Sequence, residues 1–437
     1  MQQPRWLLGL HLQSLGEHRE AEAQLQRHLE ITRRTAGADH PLVALALQAL
    51  AELHRKRGDL ASAETLCRQA LVLVRRSEHS VDALHAAQLH ALAVLQRLQG
   101  RLPEAAELLE QALEIDRGSA GGEEGTAHLG TQQELALVEA GRGESAPALG
   151  RLLRVLAAWE SLVGAFGCLP AGPGRDALLA APWNLVEQVL TLAPQVPGSA
   201  AEVLAPALHW NALRPAELAI GDRAALRRRH PADADALDRL FDLNLQVAGR
   251  LINGAGLEGL PMHRELLARW GQERERLEGD LAGRAPSLAR LRAWRAADPV
   301  AVRGALPPGG TLVELVRFRP RNFAELCAGR EGLLPARYLA FVLHAGEEGV
   351  AMVDAGPADA LESGGGVEAL RAALAPHLAG RRYVVVGGVG RLKRTAFRRL
   401  APGTEVRPVR SEREVASRLL ALPPDGWLAR VRCWLAG

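Results

Sequence analysis

Cysteine and histidine are the residue types of this chain that could combine into a nucleophilic centre. A thiolate attacks a carbonyl, while an imidazole first activates it and then protonates the leaving group. The four cysteines are Cys67, Cys168, Cys327 and Cys433, and there are 14 histidines. One pairing to weigh is Cys327, in AELCAGR, with His344, at the end of YLAFVLH. The first falls on a helix end or loop and the second closes an apolar strand, so both are expected to be structural. Cys433 stands near the end of the chain, and no histidine follows Phe397. The rest of the chain has no room for a supporting strand and an oxyanion hole around that thiol. The expected catalytic set is empty, and no peptidase activity is expected.

Other chemistries fare no better. The cysteines form no C-x-x-C pair, and His40, His54, His85 and His90 form no H-x-x-x-H pair with a nearby carboxylate. These histidines are expected on helix surfaces or in turns, with no metal bound. GGVGRLKRT follows an apolar run and offers Lys393 and Thr395, but not in the G-K-[ST] order of a phosphate loop. No cofactor is expected. Net charge is only +3, and Arg227, Arg228 and Arg229 lie among acidic residues. Basic residues do not alternate with aromatics, so a nucleic-acid partner is not expected. No apolar run approaches the ~20 residues that span a bilayer, and the N-terminus lacks a signal-peptide core. A cytoplasmic, reducing setting is the expectation.

The elements follow from composition and rhythm. Leu and Ala dominate, aromatics make up 4%, and β-branched residues gather near the C-terminus. This predicts a mainly α protein with a C-terminal α/β layer. The segments GEHREAEAQLQRHLEI, GDLASAETLCRQALVL and GRLPEAAELLEQALEI repeat, with Gly16, Gly58 and Gly100 each 42 positions apart. In the same register lie Leu8, Leu50 and Leu92, then Ala21, Ala63 and Ala105, then Leu29, Leu71 and Leu113. Each copy predicts a helix, a glycine turn and a second helix whose small Ala permits close approach. One hairpin cannot bury its own apolar stripe, so the copies must stack. A fourth, worn copy is expected at QQELALVEAGRGESAPALGRLLRVL, with Gly141, Ala146 and Leu149 in register, after a flexible loop GSAGGEEGTAHLG. The chain opens inside a repeat, at PRWLLGLHLQSLG.

These repeats resemble tetratricopeptide repeats of the long variety seen in kinesin light chains. The resemblance implies a concave face that takes a protein or peptide partner. After the repeats, helical text continues to Pro308, including MHRELLARWGQERERLEGDLA as one amphipathic helix. Strands are then expected at TLVELVRF, RYLAFVLHA, GVAMVDAG and RRYVVVGG, with helices at GVEALRAALAPHLAG and SEREVASRLLAL.

The order of these last blocks resembles the CHAT domain, a caspase-like and separase-related module found behind tetratricopeptide repeats. The loop after YVVV keeps Gly390, Leu392, Phe397 and Leu400 of that family's pattern, but Gly388-Val389 and Ala396 replace its Pro-Asp and second Pro. The PDG of LPPDGWLARV follows a helix and is set aside as coincidental. The family's histidine and cysteine would come after this loop, where the chain has no histidine at all. The expected domains are therefore repeats at 1–160, a helical connection at 161–304 and a partial CHAT-like α/β domain at 305–437. Together they predict a non-catalytic interaction scaffold. The alternative is half of a split or truncated cysteine peptidase whose dyad lies on a separate or missing segment.

Overall fold

The computed structural model describes residues 16–76, 82–118, 126–166, 173–212, 223–253, 259–284, 298–306, 308–363, 366–379, 383–387 and 405–408, with Leu8 and Leu12. Contacts divide it into two units. The first holds Met1–Glu144, Leu251–Arg264 and Phe323–Glu331, and the second holds Ser145–Arg250, Glu265–Asn322 and Gly332–Gly437.

In the N-terminal part of the first unit helices run in order: α1 His18–Ala36, α2 Pro41–Lys56, α3 Leu60–Arg76, α4 Asp82–Leu98, α5 Leu102–Gly118 and α6 Thr126–Gly141. Each packs on the next. Leu25, Val43, Leu47 and Leu53 bury together with Ala70. Ala51, Cys67, Leu89, Leu95 and Ala112 form the next layer, and Ala93, Leu109, Leu135 and Val138 the one after. Burying one Leu contributes about 1.5–3 kcal/mol. Because these layers draw on neighbouring hairpins, that energy exists only in the stack.

The turns between paired helices share one geometry. Gly16, Gly58 and Gly100 have φ of 81°, 82° and 79°. The amides of Glu17, Asp59 and Arg101 donate to the carbonyls of Leu12, His54 and Gln96, five residues back. That is the 6→1 bond of a Schellman stop, and it needs glycine at the left-handed position. Ala21, Ala63 and Ala105 are fully buried, as the register requires.

The fourth copy departs from the expected register. Gly141 is the last residue of α6, and the left-handed turn falls at Gly143, φ 82°, with the Glu144 amide donating to the Glu139 carbonyl. The small residue five positions on is Ala148, which is fully buried, while Ala146 is exposed. Gly143 follows Gly100 by 43 positions in place of 42, and it carries the positive φ that Gly141 does not need. The expected flexible loop also ends sooner, since Thr126–Gly130 already belong to α6.

The second unit begins with α7 Ser145–Phe166, α8 Pro173–Leu192, α9 Ala200–Ala212, α10 Arg223–Arg229 and α11 Ala234–Asn253, of which Ala234–Arg250 belong here. The amphipathic helix α12 Gly259–Ala282, in this unit from Glu265 onward, spans the predicted segment, and α13 Pro299–Ala305 starts at an Asp298 cap that accepts from the Ala301 amide. Gly309, φ 72°, then turns the chain into β1 Gly310–Phe318.

After the short helix α14 Phe323–Cys327 come β2 Arg337–His344, β3 Ala351–Pro357, α15 Ala358–Ser363, α16 Val367–Leu378, β4 Tyr383–Gly387 and β5 Glu405–Pro408. The strands form one sheet in the order β3-β2-β1-β4-β5. β1, β2 and β3 are antiparallel neighbours, and β4 joins β1 in parallel with Thr311 opposite Val384. Val313, Leu315, Tyr338, Ala340 and Val342 pack with Leu361, Leu370 and Leu374 of α15 and α16. Leu312 and Val316, on the other face of β1, are equally buried. A strand buried on both faces tends to read as an apolar run, and LVELV does so except for the buried Glu314 at its centre.

A small sheet thus follows the helices near the C-terminus, with the antiparallel strands β1 to β3 at its front. Gly388, Val389, Gly390, Leu392, Lys393, Thr395, Ala396, Phe397, Leu400, Cys168, Cys433 and the helix expected at SEREVASRLLAL lie outside the described residues.

Candidate functional site

The first helices of successive hairpins, α2, α4 and α6, carry a file of polar residues that the apolar packing does not use. Gln48, Glu52 and Arg55 lie on α2, and His90, Val94 and Arg97 occupy the same register on α4. With Glu134 of α6 they line a recess of about 400 Å³, floored by Ala51, Cys67 and Leu95. Spacings of three and four place such residues on one face of a helix.

Within the recess charges are paired. Arg55 donates from Nε and Nη2 to both oxygens of Glu52 at 2.6 Å, a two-pronged bond that raises the Arg55 pKa further. Arg97 donates from Nε to Glu134 Oε2 at 2.8 Å. Gln88, fully buried, donates to Gln48 Oε1 at 2.7 Å and keeps its own oxygen without a hydrogen-bond partner. His90 Nδ1 lies 3.2 Å from Thr131 Oγ1, and burial lowers its pKa, so the imidazole is neutral at pH 7.

Cys67 and His90 line the same recess, a coincidence the sequence did not suggest. Their chemistry does not combine. Burial pushes the Cys67 thiol up to about 11, so the thiolate that a nucleophile requires is disfavoured. The arrangement sets paired donors and acceptors over an apolar floor.

The other singled-out residues have separate partners. His344, at the end of β2, lies 2.9 Å from Thr311 Oγ1 through Nδ1. Cys327 ends α14, its thiol donating to the Leu137 carbonyl at 3.4 Å, and burial raises its pKa too. His40 caps α2 by accepting from the Leu42 amide at 3.1 Å, and His54 contacts Asp59 at 3.0 Å beside its turn. His85 lies on α4, and burial lowers its pKa. Among the described residues no group of three His, Cys, Asp or Glu side chains could hold a metal ion, and no helix is long and apolar enough to cross a membrane.

Sequence reasoning passed over Arg97, Glu134, Gln88 and Thr131. One signal was available: Arg55 and Arg97 share a register position, and a charge repeated on an otherwise apolar helix face has a partner to find.

The tetratricopeptide repeat family model matches residues 3–76 and 48–118. Among solved structures, two of a Podosopora anserina protein described as a kinesin light chain with nearly identical TPR-like repeats are 25% and 23% identical. Each covers 47% of this chain and 94% of its own, with TM-scores of 0.34 and 0.36. BtubC (BKLC) from P. vanneervenii is 20% identical over 60% of this chain and 91% of its own, with a TM-score of 0.34. No curated protein matches. The stretch from residue 3 to 118 carries tetratricopeptide repeats.

Proposed function

We propose that the protein is a non-catalytic interaction scaffold whose repeat array binds a peptide segment of a protein partner on its concave face, at the recess between α2, α4 and α6. The observation that carries this is the file Gln48, Glu52, Arg55, His90, Arg97 and Glu134, polar groups gathered over a packed apolar floor. Two arginines and two carboxylates at fixed spacing select a peptide by its backbone and by its charges together. No nucleic acid, membrane or cofactor enters this proposal. Phage-displayed peptides selected on the full chain test it. A selected peptide should bind the Glu52→Ala/Arg55→Ala variant at least about tenfold more weakly, a loss of about 1.4 kcal/mol. Peptides that bind both forms equally would place the site elsewhere.

We place three regions along the chain: repeats over 1–160, a helical connection over 161–304 and a partial caspase-like layer of the CHAT type over 305–437. The last rests on the parallel pairing of β4 with β1 behind the helices α15 and α16. In the scaffold this layer is a platform. Its second reading is half of a split cysteine peptidase, favoured by the same pairing. Adding a partner chain that carries a histidine and a cysteine strand should then yield peptide cleavage. The free thiols Cys67 and Cys327 support a reducing, cytoplasmic setting.

A further inference from the structure

We propose that Phe323–Glu331 is a displaceable internal ligand of the repeat array, held at the Arg97 end of the recess. The proposal rests on the recess being the binding site. The segment packs with the first unit, although Asn322 and Gly332 on either side belong to the second. Its ends are pinned together: the Asn322 amide donates to the Gly332 carbonyl at 2.7 Å, and Leu334 donates to Pro320 at 2.9 Å. What lies between is a closed loop carrying one turn and a half of helix.

That loop is gripped in a specific way. The last carbonyls of a helix lack partners within it, and a cation there is favourable. Arg97 Nη1 donates to the carbonyls of Leu326 and Cys327, at 2.9 and 2.8 Å, while Glu134 fixes the same guanidinium through Nε. Two glycines make room. A Cβ on Gly141 would stand 2.5 Å from Cys327 Sγ, and one on Gly329 2.7 Å from a Leu98 methyl. Gly329 is also left-handed, φ 75°.

The side of Arg97 available to a ligand is therefore taken by the chain itself. A partner peptide that brings acceptor oxygens to Arg97 competes with Phe323–Glu331, so occupancy of the loop sets the affinity of the recess. The contact is small, one short helix held by Arg97, by the Leu137 carbonyl under the Cys327 thiol and by the close approaches at Gly141 and Gly329, while the helices it sits on belong to continuous layers. Release of the loop leaves those layers intact.

Hydrogen exchange of the full chain tests this without any partner. The amides of Ala328, Gly329 and Arg330, bonded within the loop, should be protected in the wild type. Gly141→Ala, which adds a good helix former inside α6 but collides with the sulfur, should speed their exchange about tenfold or more and leave Leu95 and Val138 protected. Gly141→Ala/Cys327→Ala removes the collision and should restore protection. Arg97→Gln should release the loop independently, with Glu134 left half-exposed at the recess. If neither single variant changes loop exchange, or if α4 and α6 lose protection together with the loop, the segment is a fixed part of the array and the proposal fails. A failure to select any binding peptide would instead count against the recess, and the loop measurement would stand apart from it.

Discussion

Arg321 and Glu187 form an ion pair of 2.5 Å with both side chains withdrawn from water, 9% and 2% exposed. Glu187 Oε1 also accepts from the Arg319 amide at 3.2 Å, and Thr191 Oγ1 accepts from the Arg321 amide at 3.1 Å. The end of β1 is thereby fixed to α8 in the second unit, next to the root of the loop that docks through Cys327. Removing Arg321 leaves the buried Glu187 carboxylate with only the longer contact to Arg319 Nε at 3.6 Å and the Arg319 amide. Arg321→Ala should cost the second unit about 3–5 kcal/mol, read as a lowered urea midpoint of its transition. Arg321→Leu/Glu187→Leu should cost less than the single change. A double variant as unstable as the single would show that the pair is not the source.

Acid should loosen the repeats through Glu64. Its carboxyl is held down to about 2, foremost by Arg101 at 2.6 Å, with Arg68 and Gln99 adding and burial opposing. The depressed value means that its stabilisation is fully present above the ordinary glutamate range and is lost as pH falls from about 5 to about 2. At this half-screened site the expected loss is on the order of 1 kcal/mol. The urea midpoint of Glu64→Gln, followed against pH, should lack that part of the slope.

Asp116 acts with the opposite sign. It is 5% exposed, and burial raises its pKa to about 6. The folded state therefore holds the proton more tightly than the unfolded chain, and stability declines as pH rises from about 4 to about 6. Asp116→Asn, close to the protonated acid in shape, should raise Tm at pH 7.5 by the equivalent of about 1 kcal/mol and leave it nearly unchanged at pH 4. An equal gain at both values would trace the effect to packing instead.

The two glycines near the end of α6 should answer differently to alanine. Gly143 has φ 82°, so Gly143→Ala must strain the turn and should cost about 1 kcal/mol, in line with Gly58→Ala and Gly100→Ala. Gly141 is helical, and its alanine variant should cost the α6 backbone nothing, its effect falling mainly on the docked loop, with a tight but yielding contact of 3.3 Å to a Leu102 methyl. Thermal melts of the four variants, followed by helical circular dichroism, separate the classes.

Three copies of a glycine, an alanine five residues on and leucines in fixed register told the sequence reader that helical hairpins stack, because those residues act locally. A left-handed turn, a close helix approach and an apolar stripe are each set within a few neighbours. The strands at LVELV and RYLAFVLH were legible for the same reason, as short apolar runs bounded by glycine and proline. The fourth copy was misplaced by two residues because either Gly141 or Gly143 can end a helix, and only packing chooses between them.

Tertiary structure alone brought Arg97 to Glu134 across 37 residues and to the carbonyls of Leu326 and Cys327 across some 230. No periodicity encodes such a meeting. A residue like Cys327, expected to be structural, becomes informative only once the glycine that admits its sulfur is seen beside it. The composition determined that this chain is an array of helices followed by a sheet. The fold decided that part of the connection between two strands of that sheet is bound by the array, because a buried guanidinium needs acceptors and the nearest helix end supplies them.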